Sequence, residues 1–422
     1  MPGSLPPSPA SPPERPTRVP AAWAEPLFTV GVTGTNGKTS TTLLVAEVLR
    51  AAGYAVAAQT TLGMGLGSAH IDPRETGSFY ERMRQAAENG ARYTAIEVTS
   101  EALAHGWAKR WRFDLGVFTN LSHDHLDAHL SFEHYLASKA QLFVHLGPGR
   151  YAVLNASDPA GVLLDRVTPP DVQRIWYASP SRGPAARPAD LVAREVVVSP
   201  SGTRVELEPS DAAERLNGFL QTHLVGHVFA ENALAAAGAG IALGIDGETI
   251  QRGLCQLRQV PGRFEIVHDR PVVAVDYAHT PDALARTCET ARAVASASER
   301  GHVIVVFGAG GNRDAKKRRP MGEAVGSRAD LAIVTSDNPR DEEPTAIARA
   351  VASGCRRGGH ARVLVELDRR KAIRVAIESA RPTDVVVVAG KGHETGQTIR
   401  GETLPFNDAE EVRRLCSAQP QD

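Results

Sequence analysis

The sequence has few cysteines, few aromatic residues and no excess charge of either sign. Its four cysteines, Cys255, Cys288, Cys355 and Cys416, include no C-x-x-C pair, so neither a zinc knuckle nor a disulfide framework is indicated. Lys and Arg number 47 and Asp and Glu 48, which excludes a general basic field for nucleic acid or an anionic membrane. No apolar run reaches 18 residues, and no basic N-terminal region leads into an apolar core. We therefore expect a cytoplasmic protein without a membrane span.

The order of the segments predicts two folded domains after a proline-rich tail. Apolar residues make up 42% of the 422 residues and charged residues 23%, which is typical of globular chains with two or three domains. Residues 1–26 contain nine prolines and too little apolar surface to fold, so we interpret them as a disordered tail. Because Pro261-Gly262 interrupts the later pattern, we place one domain at residues 27–261 and another at residues 262–422.

From Leu27 onward, short Val- and Ile-rich runs alternate with segments of helical period, which indicates βα units around mainly parallel sheets. The strands predicted in the first domain are Phe28–Val32, Ala55–Gln59, Tyr93–Val98, Leu115–Asn120 and Ala152–Asn155. A hairpin at about 190–208 is expected to decorate this domain, and an Ala-rich helix follows at about 228–243. The strands predicted in the second domain are Val272–Asp276, His302–Phe307, Leu331–Thr335, Val363–Glu366 and Asp384–Ala389.

The first predicted strand runs into a glycine-rich turn and then a predicted helix at Thr41–Ala52. The turn consists of Gly34, Thr35, Asn36, Gly37, Lys38, Thr39 and Ser40. The strict P-loop pattern requires another glycine where Val32 stands, but a strand, a glycine-rich turn and a helix N-terminus still direct N–H groups at phosphates. Lys38 would add a positive charge and Thr39 a Mg²⁺ ligand. The predicted fold class is therefore α/β, with a P-loop ATPase domain and a C-terminal Rossmann-like domain.

This turn and seven later strings resemble the Mur ligases, the ATP-dependent amide-forming enzymes of peptidoglycan synthesis. The strings are E-V-T-S from Glu97, F-T-N-L-S-H-D-H-L-D from Phe118, G-R-F-E from Gly262, D-Y-A-H-T-P-D from Asp276, G-G-N-R-D from Gly310, D-N-P-R from Asp337 and G-K-G-H-E from Gly390. The D-N-P-R string is similar to that of the family branch that adds meso-diaminopimelate to UDP-N-acetylmuramoyl-alanyl-glutamate. The resemblance implies ATP and Mg²⁺ as cofactors, and an amino acid and a carboxylate acceptor, joined through an acyl phosphate, as small-molecule partners.

The resemblance also implies roles for individual residues. The implied catalytic residues are Lys38, Glu97, His125 and Lys139, and the implied metal ligands are Thr39, Glu97, His125 and a carbamylated Lys139. The implied ATP contacts are Gly34, Thr35, Asn36, Gly37, Lys38, Thr39, Ser40, Asn232, Arg263, Asp276, Tyr277 and His279. The implied amino-acid contacts are Arg313, Asp337, Asn338, Arg340, Gly390 and Glu394. By residue chemistry alone, Glu97 would be a helix cap or surface carboxylate, His125 a structural histidine and Lys139 a solvated lysine on a helix.

Several features depart from the family pattern. The diaminopimelate-adding branch grips the UDP-sugar with a separate N-terminal domain, whereas here only the proline-rich tail precedes the first strand, so we expect the uridine site to be absent. Glu101 stands where the family has His, and His123 where it has Arg, so an anionic acceptor should be bound less well. Phe229 replaces the first Asn of the family's F-N-x-x-N string, where it could stack on adenine.

Three alternatives to the peptidoglycan reaction stay open. The chain could be a paralogue that uses another carboxylate, as the related folylpolyglutamate synthases do. It could be a non-catalytic nucleotide-binding partner protein, although the implied catalytic residues are all present. A P-loop kinase or simple NTPase would explain the turn but neither D-N-P-R nor G-K-G-H-E. No protein partner is indicated by the sequence.

Overall fold

The fold consists of two large β-sheets, each flanked by helices, and a small β-hairpin. The computed structural model describes residues 22–66, 69–71, 77–122, 131–297 and 301–417. Its strands are β1 Phe28–Thr33, β2 Val56–Thr60, β3 Gly63–Leu66, β4 Ala69–Ile71, β5 Tyr93–Glu97, β6 Leu115–Phe118, β7 Tyr151–Asn155, β8 Gln173–Ala178, β9 Leu191–Ser199, β10 Gly202–Leu207, β11 Phe219–Thr222, β12 Glu265–Asp269, β13 Val272–Asp276, β14 Val303–Phe307, β15 Leu331–Val334, β16 Arg362–Val365, β17 Val385–Ala389, β18 Gly396–Ile399 and β19 Glu402–Pro405.

The helices alternate with these strands along most of the chain. They are α1 Lys38–Ala51, α2 Phe79–Glu88, α3 Ser100–Ala104, α4 Trp107–Arg110, α5 Phe132–Val144, α6 Pro159–Val167, α7 Asp211–Arg215, α8 His227–Ala242, α9 Gly247–Gln256, α10 Pro281–Ser296, α11 Arg318–Gly326, α12 Pro344–Gly358, α13 Arg369–Ser379 and α14 Asp408–Ser417. None of the described helices is long and apolar enough to cross a membrane.

The first sheet has eleven strands in the order β11-β10-β9-β8-β7-β6-β1-β5-β2-β3-β4. From β2 to β9 the neighbours are parallel, and the strands at both edges are antiparallel. Helices cover both faces of the parallel part, so its strands are continuous apolar runs such as the fully buried β2 and β6. The predicted hairpin is β9 and β10, and it adds to the first domain by pairing with β8 of this sheet.

The second sheet has six strands in the order β12-β13-β17-β14-β15-β16. Only β12 is antiparallel, and the remaining pairs are parallel. The five strands predicted for this domain therefore all form, with end shifts of one residue or none. Because ligands of open α/β sheets bind outside the carboxyl ends of the strands, we expect the site to lie at those ends.

The described start of the chain differs from the prediction. Ala22–Ala24 form a short 3₁₀ helix, and the Trp23 ring lies 6.1 Å from that of Trp111. Arg112 also donates a hydrogen bond to the Glu25 carbonyl at 2.9 Å. Assigning residues 22–26 to a disordered tail was therefore wrong, because aromatic packing fixes them on the first domain. The rest of the predicted tail, residues 1–21, lies outside the described residues.

Candidate functional site

The glycine-rich turn after β1 is held in a shape that requires its glycines. Gly34 has φ +152°, and a Cβ there would lie 1.9 Å from the Thr119 hydroxyl. Gly37 has φ +83°, and a Cβ there would lie 2.4 Å from Asn232 Oδ1. Left-handed Gly37 is the N-cap of α1, so the helix begins at Lys38, three residues before its predicted start. The N–H groups of this first turn therefore form an anion-binding end.

Two oxygen ligands suited to Mg²⁺ meet beside this turn. The Thr39 hydroxyl donates to Glu97 Oε2 at 2.9 Å, and the Thr61 N–H donates to the same oxygen at 3.1 Å. Hydroxyl and carboxylate oxygens are the hard ligands that Mg²⁺ prefers. The described residues contain no group of three or more His, Cys, Asp or Glu that could hold a metal, and His125 lies outside them. Thr39 and Glu97 thus fit Mg²⁺ as partial ligands that phosphate oxygens would have to complete.

Lys139 is buried against the same turn from α5. Its side chain is 1% exposed, its Nζ donates to the Gly34 carbonyl at 2.7 Å, and the Tyr135 ring lies 4.2 Å below it. Tyr135 in turn shares a 3.1 Å hydrogen bond with the Thr35 hydroxyl. The solvated lysine that residue chemistry alone indicates is therefore not what the structure shows.

The second domain contributes an aromatic and cationic wall at the carboxyl end of β13. The Arg263 guanidinium lies 4.5 Å from the centre of the Tyr277 ring. Tyr277 also lies 4.7 Å from the His279 ring and 5.4 Å from the His393 ring. Burial and the nearby Arg263 lower the pKa of His393 below its ordinary value. His393, absent from the predicted site, was signalled by its place in G-K-G-H-E.

Asp276 lines the same region, but its carboxylate accepts hydrogen bonds from the protein itself. The donors are Phe264 N–H at 2.7 Å, Ala278 N–H at 2.7 Å and the Thr287 hydroxyl at 3.2 Å. Burial raises the pKa of this carboxyl. Asp276 therefore fixes the two turns that carry Arg263 and Tyr277.

A cavity of about 330 Å³, which we call the nucleotide cavity, lies between the two domains. Of the implied ATP contacts, it is lined by Thr35, Asn36, Gly37, Lys38, Thr39, Ser40, Asn232, Arg263, Asp276, Tyr277 and His279. Gly34 is not among its lining residues, although it shapes the turn. The cavity is also lined by Glu97, Thr61, Phe229, Arg286 and His393. Its volume lies within the range of small-molecule sites.

The inner wall of the nucleotide cavity is formed by α8 and α10. The buried Nδ2 of Asn232 has no hydrogen-bond partner among the described residues, which indicates a ligand atom as its partner. Phe229 is 5% exposed on the same helix. Arg286 of α10 donates to Glu231 of α8 at 2.9 Å, and the pair is 15% and 3% exposed. This buried ion pair links the two domains, and sequence reasoning missed it.

A second group of polar side chains lies at the carboxyl ends of β15 and β17. We call Asp337, Asn338, Gly390, Lys391 and Glu394 the Asn338 cluster. Asn338 Nδ2 donates to Glu394 Oε2 at 2.9 Å, and the buried Asp337 Oδ2 has no partner among the described residues. Gly390 has φ +117°, and a Cβ there would lie 2.5 Å from Asp337 Oδ2. The cluster therefore keeps one buried carboxylate oxygen, beside a glycine, without a hydrogen-bond partner among the described residues.

Two implied arginines flank the Asn338 cluster. Arg340 Nη1 donates to the Gly311 carbonyl at 2.7 Å, and its N–H donates to the Thr398 carbonyl at 3.0 Å. A Cβ on Gly310 would lie 3.0 Å from Arg340 Nη1 and 3.7 Å from Arg313 Cγ, so both arginines adjoin Gly310. Arg313 is exposed. The structure thus brings all six implied amino-acid contacts to one edge of the second sheet.

Behind the cluster lies a cation that sequence reasoning missed. Arg369 is fully buried and donates to both carboxylate oxygens of Asp408, at 2.7 and 2.6 Å. It also donates to the carbonyl of Ala389, the last residue of β17, at 3.0 Å. Nothing in the local sequence marks Arg369, because Asp408 lies 39 residues further along the chain.

The fold and the site define a two-domain nucleotide-dependent protein. Its P-loop domain has a nucleotide cavity that a second α/β domain closes, and a cluster of carboxylates and arginines lies beside that cavity. Residues 32–240 match the Mur ligase middle domain, and residues 262–392 match the Mur ligase glutamate ligase domain. The chain belongs to the Mur ligase family, whose members are ATP-dependent ligases.

Similar proteins and structures agree with this assignment. A Solibacter usitatus protein named UDP-N-acetylmuramoyl-L-alanyl-D-glutamate--2,6-diaminopimelate ligase is 39% identical over 93% of this chain and 77% of its own length. An Aquifex aeolicus protein of the same name is 38% identical over 93% of this chain and 78% of its own length. A solved structure of a ligase of that name matches with TM-score 0.65 and 33% identity, covering 94% of this chain and 79% of the other. Mycobacterium tuberculosis folylpolyglutamate synthase shares the fold, with TM-score 0.65, 20% identity and coverage of 94% and 93%.

Proposed function

We propose that this chain joins an amine of meso-diaminopimelate to the carboxylate of a UDP-N-acetylmuramoyl-alanyl-glutamate-like acceptor and consumes ATP. One observation carries the proposal: the Asn338 cluster adjoins the nucleotide cavity through consecutive residues, since His393 lines the cavity and Glu394 belongs to the cluster. An amino acid in the cluster would therefore lie next to the phosphates of a nucleotide in the cavity.

The reaction begins with the acceptor carboxylate, which attacks the γ-phosphorus of ATP and releases ADP. The product is an acyl phosphate, which the amine then attacks, losing a proton and expelling inorganic phosphate. The chain's own task is to hold two anions in line and to exclude water. The turn from Thr35 to Ser40 would bind the phosphates on one side, and Arg263 would approach them from the second domain.

Lys38 would neutralise part of the negative charge of the triphosphate. Lys38 Nζ donates to the Thr35 carbonyl at 2.8 Å, so the ammonium lies within the turn. When bound, Mg²⁺ would be held by Thr39 and Glu97, and it would supply charge stabilisation for the transferring phosphoryl group. His125 and a carbamylated Lys139 stay proposed as further ligands of Mg²⁺ on the strength of the family resemblance.

The Asn338 cluster would hold the end of diaminopimelate that does not react. Carboxylates bind an amine in its protonated, ammonium form, whereas the amine that attacks the acyl phosphate must be free of its extra proton. Asp337 and Glu394 would thus receive the distant ammonium, and Arg340 and Arg313 the distant carboxylate. The Aquifex and Solibacter relatives carry 2,6-diaminopimelate in their names, which supports this amine.

An acceptor other than the UDP-linked dipeptide is the second candidate. Glu101 is exposed on α3, close after Glu97 of the metal-binding region, and it places a negative charge where the family has His. His123, the other acceptor-side departure, lies outside the described residues. An acceptor with fewer negative charges would suit this side of the site better.

Product formation tests the proposal directly. The purified chain is incubated with Mg-ATP, meso-diaminopimelate and either UDP-N-acetylmuramoyl-alanyl-glutamate or the alanyl-glutamate acceptor without UDP, and the products are weighed by mass spectrometry. We expect a tripeptide product from the UDP-linked acceptor with one ADP per product. Product only from the acceptor without UDP would favour the second candidate, and ADP release without any condensation would contradict both.

A further inference from the structure

Lys391 is a fully buried cation at the centre of the Asn338 cluster. Its side chain is 0% exposed. Its Nζ donates to Asn338 Oδ1 at 3.0 Å and to Glu394 Oε2 at 2.8 Å. A lysine is almost never buried unless its charge is compensated. The charge of Lys391 therefore acts on the polar groups of the Asn338 cluster from inside the protein.

The bonds of Lys391 decide which polar atoms of the cluster remain for a ligand. Asn338 Oδ1 accepts from Lys391 and from the Thr398 N–H at 2.9 Å, so the Asn338 amide has only one satisfied orientation. Glu394 Oε2 accepts from both Lys391 and Asn338 Nδ2. No hydrogen bond to Glu394 Oε1 occurs among the described residues, and the same holds for Asp337 Oδ2. One oxygen of each carboxylate is thus left for a ligand.

The charges around these oxygens leave one negative and one positive charge uncompensated. Arg369 and Asp408 neutralise each other behind the cluster. Lys391 neutralises Glu394. Asp337 and the half-buried Arg340 then remain, whereas Arg313 beside Gly310 is exposed to solvent. A pocket with one charge of each sign matches a zwitterionic head group, which carries an ammonium and a carboxylate.

We propose that Lys391 makes the pocket selective for a zwitterionic α-amino acid head group over a lone ammonium. The inference rests on the proposed function, because it takes the non-reacting end of the amino acid as the ligand of the cluster. Without Lys391, Glu394 adds an uncompensated negative charge, and the pocket favours a cation that has no carboxylate. Lys391 is accordingly a specificity-determining residue that acts through Glu394 and Asn338.

Diaminopimelate and L-lysine are the probes that distinguish these head groups. Both present the same reacting end, but the far end is a zwitterion in diaminopimelate and a lone ammonium in L-lysine. Dissociation constants for both are measured by calorimetry on the full chain saturated with a non-hydrolysable ATP analogue and Mg²⁺. We expect the wild-type chain to prefer diaminopimelate and Lys391→Met to lower that preference at least tenfold, with L-lysine binding more tightly in absolute terms.

Gln397→Ala is the matched control for a merely structural role. Gln397 Nε2 donates to the Asp337 carbonyl at 2.8 Å, so it braces the same loop without changing the charge of the pocket. Loss of the Gln397 side chain should weaken the binding of both amino acids by similar factors. The preference for diaminopimelate over L-lysine should stay within twofold of wild type. Lys391→Gln supplies a second neutral variant in case Lys391→Met does not fold.

The outcomes separate the inference from the proposed function. If both neutral variants keep the wild-type preference, or if the wild-type chain binds neither amino acid, the inference is overturned. If wild type and variants show the expected shift in binding but no acceptor yields a product, the inference stands and the proposed reaction fails.

Discussion

The nucleotide cavity and the Asn338 cluster are built in opposite ways. The cavity takes its walls from two domains, with the turn after β1 on one side and Arg263, Tyr277 and His393 on the other. The cluster lies within the second domain, at the carboxyl ends of neighbouring strands, and its side chains are bonded to one another.

The two regions therefore depend on different parts of the structure. The cavity depends on how the domains meet, and its buried Asn232 Nδ2 is left for a ligand. The cluster is organised before any ligand arrives, because Arg369, Lys391 and Thr398 fix its groups. Changes in the cavity should therefore affect nucleotide use, and changes in the cluster should affect only the amino acid.

Removing the charge of Lys38 should have the largest effect and should leave the cluster untouched. We expect Lys38→Met to lower kcat by about 10³-fold or more, because an electrostatic contact to the transferring phosphate is lost. The affinity for diaminopimelate should stay within twofold of wild type. Steady-state kinetics and calorimetry measure the two quantities, and a kcat within tenfold of wild type would remove Lys38 from the phosphate site.

Adding a side chain at Gly390 of the cluster should weaken amino-acid binding and leave nucleotide binding unchanged, the opposite of the result for Lys38. A Cβ in Gly390→Ala would press on Asp337 Oδ2, so diaminopimelate should bind about 10- to 100-fold more weakly while ATP binding is unchanged. Gly401→Ala is the control, because Gly401 also has a positive φ of +80° but a Cβ there meets nothing within 4 Å. Equal losses in the two variants would show that backbone strain alone is responsible.

Breaking the ion pair between the domains should affect the cavity moderately. Arg286→Met removes the guanidinium that donates to the buried Glu231, which keeps its 2.8 Å hydrogen bond from the Ser181 hydroxyl. Removing one member of a buried ion pair typically costs about 3–5 kcal/mol of stability. The partial exposure of Arg286 reduces this cost, and we expect about 2 kcal/mol together with about tenfold weaker ATP binding. Adding Glu231→Gln should recover part of both losses. Urea unfolding and ATP titration test this, and an unchanged ATP affinity would exclude the pair from the cavity.

Replacing His393 should have the smallest effect, on the pH dependence of stability. The pKa of His393 is lowered in the folded state. Below about pH 6.5 the unfolded chain therefore takes up a proton more readily than the folded one, and the free energy of unfolding decreases as the pH is lowered. His393→Gln should therefore lose less stability than wild type between pH 7 and pH 5.5, by under about 1 kcal/mol. Urea unfolding at both pH values measures this, and an identical loss in both proteins would contradict it.

The sequence could predict the elements whose signals are local. The predictions were correct for both series of strands, the α8 helix and the turn after β1, because apolar periodicity and glycine spacing lie within single segments. The implied amino-acid contacts do meet at one sheet edge, since carboxyl ends of parallel strands share an edge.

What the sequence could not predict rests on contacts between distant residues. Arg286 and Glu231 are 55 positions apart, and Arg369 and Asp408 are 39 apart. Trp23 was assigned to a tail because its partner Trp111 lies in a different segment. The helix start at Lys38 was missed because Gly37 acts as a left-handed cap, which composition alone does not distinguish from a loop glycine.

Transfer of a labelled oxygen tests most directly whether the two regions act in one reaction. The acceptor carboxylate is labelled with ¹⁸O, and the phosphate released with Mg-ATP and diaminopimelate is analysed by mass spectrometry. An acyl phosphate requires one ¹⁸O atom in the phosphate for each amide formed, and release should depend on the amine. Phosphate that carries no label, or that appears at the same rate without diaminopimelate, would contradict the proposed ligase reaction.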